Sequence, residues 1–215
     1  MAIIAVAGRK GGVGKSTIAG NLAGELISMG YAVAALDADP QHSLATWAAQ
    51  GTGVLASCVE AVKHGGPDEL KAQTRAAQKA FEMVLIDTPP GMPETTAQAL
   101  MLADLALLPC GPSPLDLFAL KEALQLALHA RAVRGAKKPR IRFVPSKVLM
   151  STTLGRELAS SLEKMGKKVL PAISQRIALA QAVEFGLTIG EFAPGSPAHE
   201  EFQKLAKAVD KIVSR

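Results

Sequence analysis

The chain has 215 residues, 48% of them hydrophobic and 20% charged, a globular composition that excludes disordered and collagen-like classes. Aromatics are only 4%, with Trp47 and Tyr31 the sole examples of their kinds, which argues against base-stacking RNA modules. The formal net charge of +5 is uneven: residues 1–120 carry 7 basic and 11 acidic side chains, residues 121–170 carry 12 and 3, and residues 171–215 carry 5 and 5.

A chain of this length should bury roughly 70% of its unfolded surface, enough for one domain over 1–215 without staples. Cys58 and Cys110 are far apart and lack CxxC spacing, so neither a disulfide framework nor a structural zinc site is expected. The opening MAIIAVAGRKGG is apolar too briefly for a signal peptide. No stretch reaches the ~18 apolar residues of a membrane span. A cytoplasmic protein is expected.

In chain order, short apolar runs predict strands at 2–7, 32–37, 82–87, 104–109, 140–145 and 168–172, with a weaker candidate at 54–59. Longer periodic segments predict helices at 15–29, 41–50, 67–80, 93–102, 114–133, 152–165, 176–185 and 197–213. Several strands are apolar nearly throughout, as strands covered on both faces should be. The alternation predicts a doubly wound α/β fold, a mainly parallel sheet with helices on both faces. Ligands in such sheets bind at the carboxyl ends of the strands.

The first strand runs into Gly8-Arg9-Lys10-Gly11-Gly12-Val13-Gly14-Lys15-Ser16-Thr17 and then a helix. Glycines let successive N–H groups point into one concavity, and the helix N-terminus adds its positive end. Lys15 should reach the β- and γ-phosphates, and the Ser16 hydroxyl should ligate Mg²⁺. The general phosphate-loop pattern wants glycine where Arg9 stands, and a second lysine, Lys10, precedes the glycines. The second strand ends in Asp37-Ala38-Asp39-Pro40-Gln41. Period two points Asp37 and Asp39 the same way, where a triphosphate tolerates both only if a metal or a water needs them. The strand over 82–87 ends in Asp87, then Thr88-Pro89-Pro90-Gly91 follow. An apolar strand ending in one aspartate suits the water shell of Mg²⁺.

KGGVGKST resembles the deviant phosphate loop of the ParA/MinD family of P-loop ATPases, and DADPQ and DTPPG resemble its two switch segments. The resemblance implies a P-loop fold that binds ATP or ADP with Mg²⁺ through Lys10, Gly11, Gly12, Val13, Gly14, Lys15, Ser16 and Thr17. It implies Lys10, Lys15 and Asp39 as catalytic groups: Lys10 reaches a partner's phosphates across a nucleotide-sandwich homodimer, and Asp39 positions the attacking water. Ser16, Asp37 and Asp87 serve the metal, and Gly91 is a hinge. The base-recognition loop falls at Pro145 and Ser146, without the asparagine common in the family. The tail from Ile173 to Pro194 and the last helix, with His199, Glu200, Glu201 and Phe202, resemble the family's tail, so the likeness covers nearly the whole chain.

The basic stretch suggests a polyanion. With the family's use of nonspecific DNA, it nominates Arg131, Arg134, Lys137, Lys138, Arg140 and Arg156 as DNA contacts and implies nucleoid association with ATP. A cargo-linked partner protein is expected to stimulate slow hydrolysis. The apolar stripe Phe202, Leu205, Ala206, Val209, Ile212 and Val213 is expected to pack on the sheet, with a MinD-like membrane helix as the alternative. Iron–sulfur carriers and tyrosine kinases of the superfamily need paired cysteines or a tyrosine cluster, which this chain lacks. His42 is expected to be exposed, and His64, His129 and His199 have no partner at metal-ligand spacing.

Overall fold

Runs such as Ala2–Val6 and Met83–Asp87 offer no polar face to water, and every residue of both is buried. The computed structural model describes residues 1–62, 66–135 and 137–214. Its amino-terminal elements are β1 (Ala2–Val6), α1 (Lys15–Ser28), β2 (Val33–Asp37), α2 (Ser43–Ala49), α3 (Leu55–Cys58), β3 (Val59–Ala61), α4 (Pro67–Ala77) and β4 (Met83–Asp87). There follow α5 (Pro93–Leu102), β5 (Leu105–Cys110), α6 (Pro114–Val133), β6 (Arg140–Pro145), α7 (Thr153–Glu163) and β7 (Lys168–Val169). The tail holds α8 (Ile177–Glu184), α9 (Ile189–Phe192) and α10 (Pro197–Val213).

The strands form one all-parallel sheet in the order β3-β2-β4-β1-β5-β6-β7. The chain winds one way from β1 to reach β2–β4 and the other way to reach β5–β7. The carboxyl end of β1 therefore lies at the reversal, where doubly wound sheets open a crevice. Strand periodicity divides the side chains between two cores. Ile4, Val6, Ala35, Leu85 and Leu107 pack with α1, α2 and α10, whereas Ile3, Ala5, Val84, Ile86 and Phe143 pack with α4 to α7.

Several expectations change. The candidate strand at 54–59 is instead the short helix α3, and the strand follows it as β3 at the sheet edge. The strand expected over 168–172 stops after Val169, because Pro171 has no N–H to continue a ladder. The four-residue α9 was not anticipated, although Thr188-Ile189-Gly190-Glu191 is a capping box in sequence and in structure. His42 is half-buried, not exposed, with φ 49° just before α2. His199 lies 3.1 Å from Glu25 of α1 and accepts a hydrogen bond from the Gly195 N–H at 2.9 Å. His64 lies outside the described residues.

The stripe on α10 faces the core: Phe202, Leu205, Ala206 and Val209 are buried beside α1. No helix among the described residues is long and apolar enough to cross a membrane. Phe202 is among the largest fully buried side chains. Phe202→Ala should cost about 3–5 kcal/mol in urea unfolding; a loss under about 1 kcal/mol would mean that α10 is only loosely docked.

Candidate nucleotide site

Parallel register brings the site together. Asp87 pairs with Val6 on one side and with Asp37 on the other, so β1, β2 and β4 end level with one another. The loop leaving Val6 curls over these ends and enters α1. Gly14, immediately before α1, has φ 91°, and a Cβ there would sit 2.7 Å from the Ser146 hydroxyl. Only glycine suits both the backbone and the space. The first turn of α1 has no acidic residue, and no side chain caps it, so its free N–H groups face the loop. Gly11 and Gly12 are exposed, Val13 is buried, and Ser16 and Thr17 are half-buried in that first turn.

Lys15 is buried and donates to the Lys10 carbonyl at 3.1 Å. Burial holds its pKa below the usual lysine value, against the attraction of Asp87 and Asp39. A phosphate would supply the counter-charge that this ammonium lacks in water-poor surroundings.

The three aspartates differ in what their oxygens do. Asp37 is engaged through both oxygens: Oδ1 accepts the Asp39 N–H at 3.0 Å and keeps one lone pair, and Oδ2 accepts the Leu44 and Ala45 N–H groups, both at 2.9 Å. Residue 42 offers no side-chain cap to α2, so Asp37 caps that helix from the preceding strand. Burial still pushes its carboxyl above the usual range. Asp39 is half-buried, and its Oδ1 accepts the Gln41 N–H at 2.9 Å, a turn that leaves Oδ2 available.

Asp87 is the opposite of Asp37. It is buried, and neither of its oxygens makes a well-formed hydrogen bond, although the Ser16 hydroxyl lies close enough to act on the carboxyl. Burial pushes its carboxyl up to about 7, against the pull of the Ser16 hydroxyl and of Lys15. Orphaned buried acceptors of this kind need a ligand or an ion. Hard oxygens from Asp87 and Ser16 suit Mg²⁺, which keeps several waters and takes few protein ligands. Among the described residues no three His, Cys, Asp or Glu side chains cluster as a metal cage, so phosphates and waters would complete the shell.

Lys10 points elsewhere. Its ammonium meets Asp116 at 2.6 Å, near the start of α6. The adjacent Arg9 meets Glu122 of the same helix at 3.2 Å. Burial alone would raise the Asp116 carboxyl; hydrogen bonds from Lys10 and Ser113 outweigh it and hold the carboxyl below the usual range.

A cleft of about 720 Å³ adjoins the loop between Gly14, Thr17, Ile18 and Ser146 on one side and the tail from Ile173 to Val183 on the other. Its walls are mainly apolar, as a flat heterocycle needs. Ser146 lines this cleft. Pro145 does not; its carbonyl accepts the Ile173 N–H at 2.8 Å and so ties the tail to β6. The tail wall is anchored again where Glu201 of α10 accepts from the Ser174 N–H, the Ser174 hydroxyl and Arg176 at 2.8–2.9 Å.

The six nominated DNA contacts do not share one place. Arg134 donates to the Ala103 carbonyl, Lys138 pairs with Asp104 at 2.6 Å, and Arg140 donates to the Ile212 carbonyl. These three lie at the amino ends of β5 and β6, the pole opposite the phosphate loop. Arg131 is at the end of α6 and Lys137 is exposed near the same pole. Arg156 is on α7, beyond the carboxyl end of β6, where it donates to the Met150 and Ser151 carbonyls at 3.2 Å.

Residues 4–189 match the model of the CobQ/CobB/MinD/ParA nucleotide-binding domain. The chain belongs to that family. It is 31% identical to the chromosome-partitioning ATPase Soj of Thermus thermophilus, over 96% of this chain and 94% of that protein. It is 29% identical to the maintenance of carboxysome distribution protein A of Halothiobacillus neapolitanus, over 96% and 95%. Its fold matches MinD of Pyrococcus horikoshii, solved with Mg-ADP, with a TM-score of 0.75 at 20% identity, over 99% of this chain and 97% of that one. The fold is thus that of the MinD/ParA P-loop proteins, and the chain is a ParA/Soj-like nucleotide-binding ATPase.

Within this family fold, the contact between Lys10 and Asp116 escapes sequence reasoning. Asp116 is 106 residues from Lys10, and only its role in the Ser113 capping box is legible locally. The tail side of the cleft, by contrast, was reached through the resemblance of Ile173 to Pro194 to the family's tail, which in the family lies near the nucleotide base.

Asp87→Asn should raise the thermal midpoint of the nucleotide-free, Mg²⁺-free protein at pH 7.5, because it removes a carboxyl that burial drives up to about 7. The raised pKa makes native stability fall as pH rises from about 4 to about 7, so the gain should shrink at pH 5. The same substitution should weaken Mg²⁺-dependent ATP binding. A variant less stable than wild type at pH 7.5 would contradict the picture of a bare, desolvated carboxyl.

Proposed function

We propose that this chain is a slow, Mg²⁺-dependent ATPase of the partition or positioning type, a single ATPase domain over 1–215 that ATP assembles into a sandwich dimer. The observation that carries this reading is the convergence of Lys15, Asp39 and Asp87 at one sheet edge beneath a loop that bears the second lysine, Lys10. The likeness to Soj and to the carboxysome-distribution protein supports it.

In this reading the loop N–H groups and Lys15 bind the β- and γ-phosphates. Ser16 directly, and Asp87 and Asp37 through water, would hold Mg²⁺, which when bound would supply charge neutralisation on the phosphate oxygens. Asp39 holds the attacking water through its available oxygen. Lys10 of one subunit reaches the phosphates of the other and stabilises charge as the bond to the leaving group breaks. The base lies in the cleft beside Ser146. Thr88 to Gly91 follow Asp87 directly, and Gly91, at φ 75°, lets this segment respond to loss of the γ-phosphate.

The dimer binds nonspecific DNA in the cytoplasm, at the nucleoid, through phosphate contacts from the basic segment. A cargo-linked protein stimulates hydrolysis and resets the subunit. The cargo is a plasmid, a chromosomal origin or a protein assembly.

Asp39→Ala should slow hydrolysis at least about a hundredfold while ATP still drives dimerisation, and Lys10→Ala should abolish the ATP dimer in analytical ultracentrifugation. Wild-type turnover by Asp39→Ala would remove it from the water-positioning role. Binding to random-sequence duplex DNA should require ATP and fall at least about tenfold between about 50 and 200 mM salt; salt-independent binding, or none, would remove DNA from the reading.

A further inference from the structure

We propose that Asp116 restrains Lys10: it holds the lysine's ammonium against α6, outside its own phosphate cradle, and yields it only to the triphosphate of a second copy of this chain. The inference rests on the sandwich role of Lys10 proposed above and adds the regulation of that residue.

The acid is the fixed member of the pair. The Asp116 side chain is 12% exposed and that of Lys10 is 40% exposed. Ser113 donates to Asp116 Oδ2 from its hydroxyl at 2.8 Å and from its N–H at 3.3 Å. In return the Asp116 N–H donates to the Ser113 hydroxyl at 3.2 Å. The carboxylate is therefore set by the start of α6 itself, through a reciprocal cap. Gly111 makes room for it: a Cβ at that position would lie 2.4 Å from Oδ2. With Oδ2 locked, Oδ1 faces Lys10 at 2.6 Å.

The two lysines leave the loop in opposite directions. Lys15 turns inward and caps the Lys10 carbonyl, while the Lys10 side chain turns outward to α6. A nucleotide entering the loop thus meets Lys15 first and leaves the Lys10–Asp116 pair intact. Breaking that pair takes an anion that outweighs one well-oriented carboxylate. A triphosphate on a facing subunit carries more charge than a diphosphate and extends one phosphate further, so the pair sets a threshold that ATP passes and ADP does not. The restraint works on assembly, not on the fit of nucleotide in its own loop.

The test follows dimerisation by analytical ultracentrifugation against concentrations of a non-hydrolysable ATP analogue and of ADP, each with Mg²⁺. It compares wild type, Asp116→Asn, Asp116→Glu, Ser113→Ala and Lys10→Ala, with thermal midpoints recorded for each. Asp116→Asn keeps a cap acceptor on α6 but loses the charge. It should dimerise at about threefold or more lower analogue concentration and should form a dimer with ADP. Ser113→Ala, which frees Oδ2 but keeps the charge, should shift the same way by less. Asp116→Glu should restore the wild-type nucleotide dependence. A purely structural role would lower the thermal midpoint and leave the nucleotide dependence where it is, which would overturn the restraint. So would a folded Asp116→Asn that no longer dimerises, since the acid would then be aiding Lys10. Wild type that stays monomeric with the analogue, or Lys10→Ala that dimerises like wild type, would sink the sandwich reading and the restraint together. Lys10→Ala monomeric with Asp116→Asn matching wild type would sink the restraint alone.

Discussion

The site depends on one constraint, the parallel register that sets Asp37 and Asp87 level with Val6. Strand register is specified by burial: a slip of one residue would turn Asp87 and every alternate side chain to the opposite core. Because both faces of β1, β2 and β4 are buried, the two cores hold that register. The apolar packing of Ile4, Val6, Leu85 and Ile86 is thus what aims two carboxyls at the loop that follows β1.

The same register leaves the two aspartates with different work. Asp37 has three backbone N–H groups to satisfy and so ties α2 to the end of β2. Any shift of Asp39 or of α2 must pass through that carboxylate. Asp87 has no such partner, and Lys15 is likewise buried with its pKa held down. The side chains of the site bring together opposite charges that burial disfavours and that protein hydrogen bonds do not fully satisfy. Such a site is preorganised for a ligand carrying both signs, a metal–phosphate pair, and native stability is lower for it.

Much of the fold was readable because its strands are short apolar runs and its helices are periodic. The span predicted for the last helix, 197–213, is the one observed. The phosphate loop and both aspartate segments were readable because glycines and strand-terminal carboxylates act locally. The failures have physical reasons too. Leu55–Cys58 is too short and too apolar for period to tell strand from helix. His199 reads as isolated until α1 and α10 pack and bring Glu25 beside it. Asp116 draws no notice in the sequence because its contact with Lys10 is made by topology: β1 and β5 are neighbours in the sheet, so the loops after them meet. Sequence separation hides such pairs, and a parallel sheet with crossovers creates them at its carboxyl edge.

The uneven charge gains a sharper meaning from the same topology. Residues 121–170 carry 12 basic and 3 acidic side chains, which on sequence alone suggests one cationic face. Yet β6 runs between Arg140 and Pro145, so the segment spans from one pole of the sheet to the other. At the amino pole Arg134 and Arg140 hydrogen-bond to carbonyls and Lys138 pairs with Asp104, so part of the excess closes that end of the fold. Burial, with the neighbouring Arg140 and Arg131, holds the Arg142 pKa down. The positive charge near the phosphate loop is balanced by a side chain instead of by carbonyls: Asp116 meets Lys10 at 2.6 Å and, in the proposed restraint, yields it only to a stronger anion.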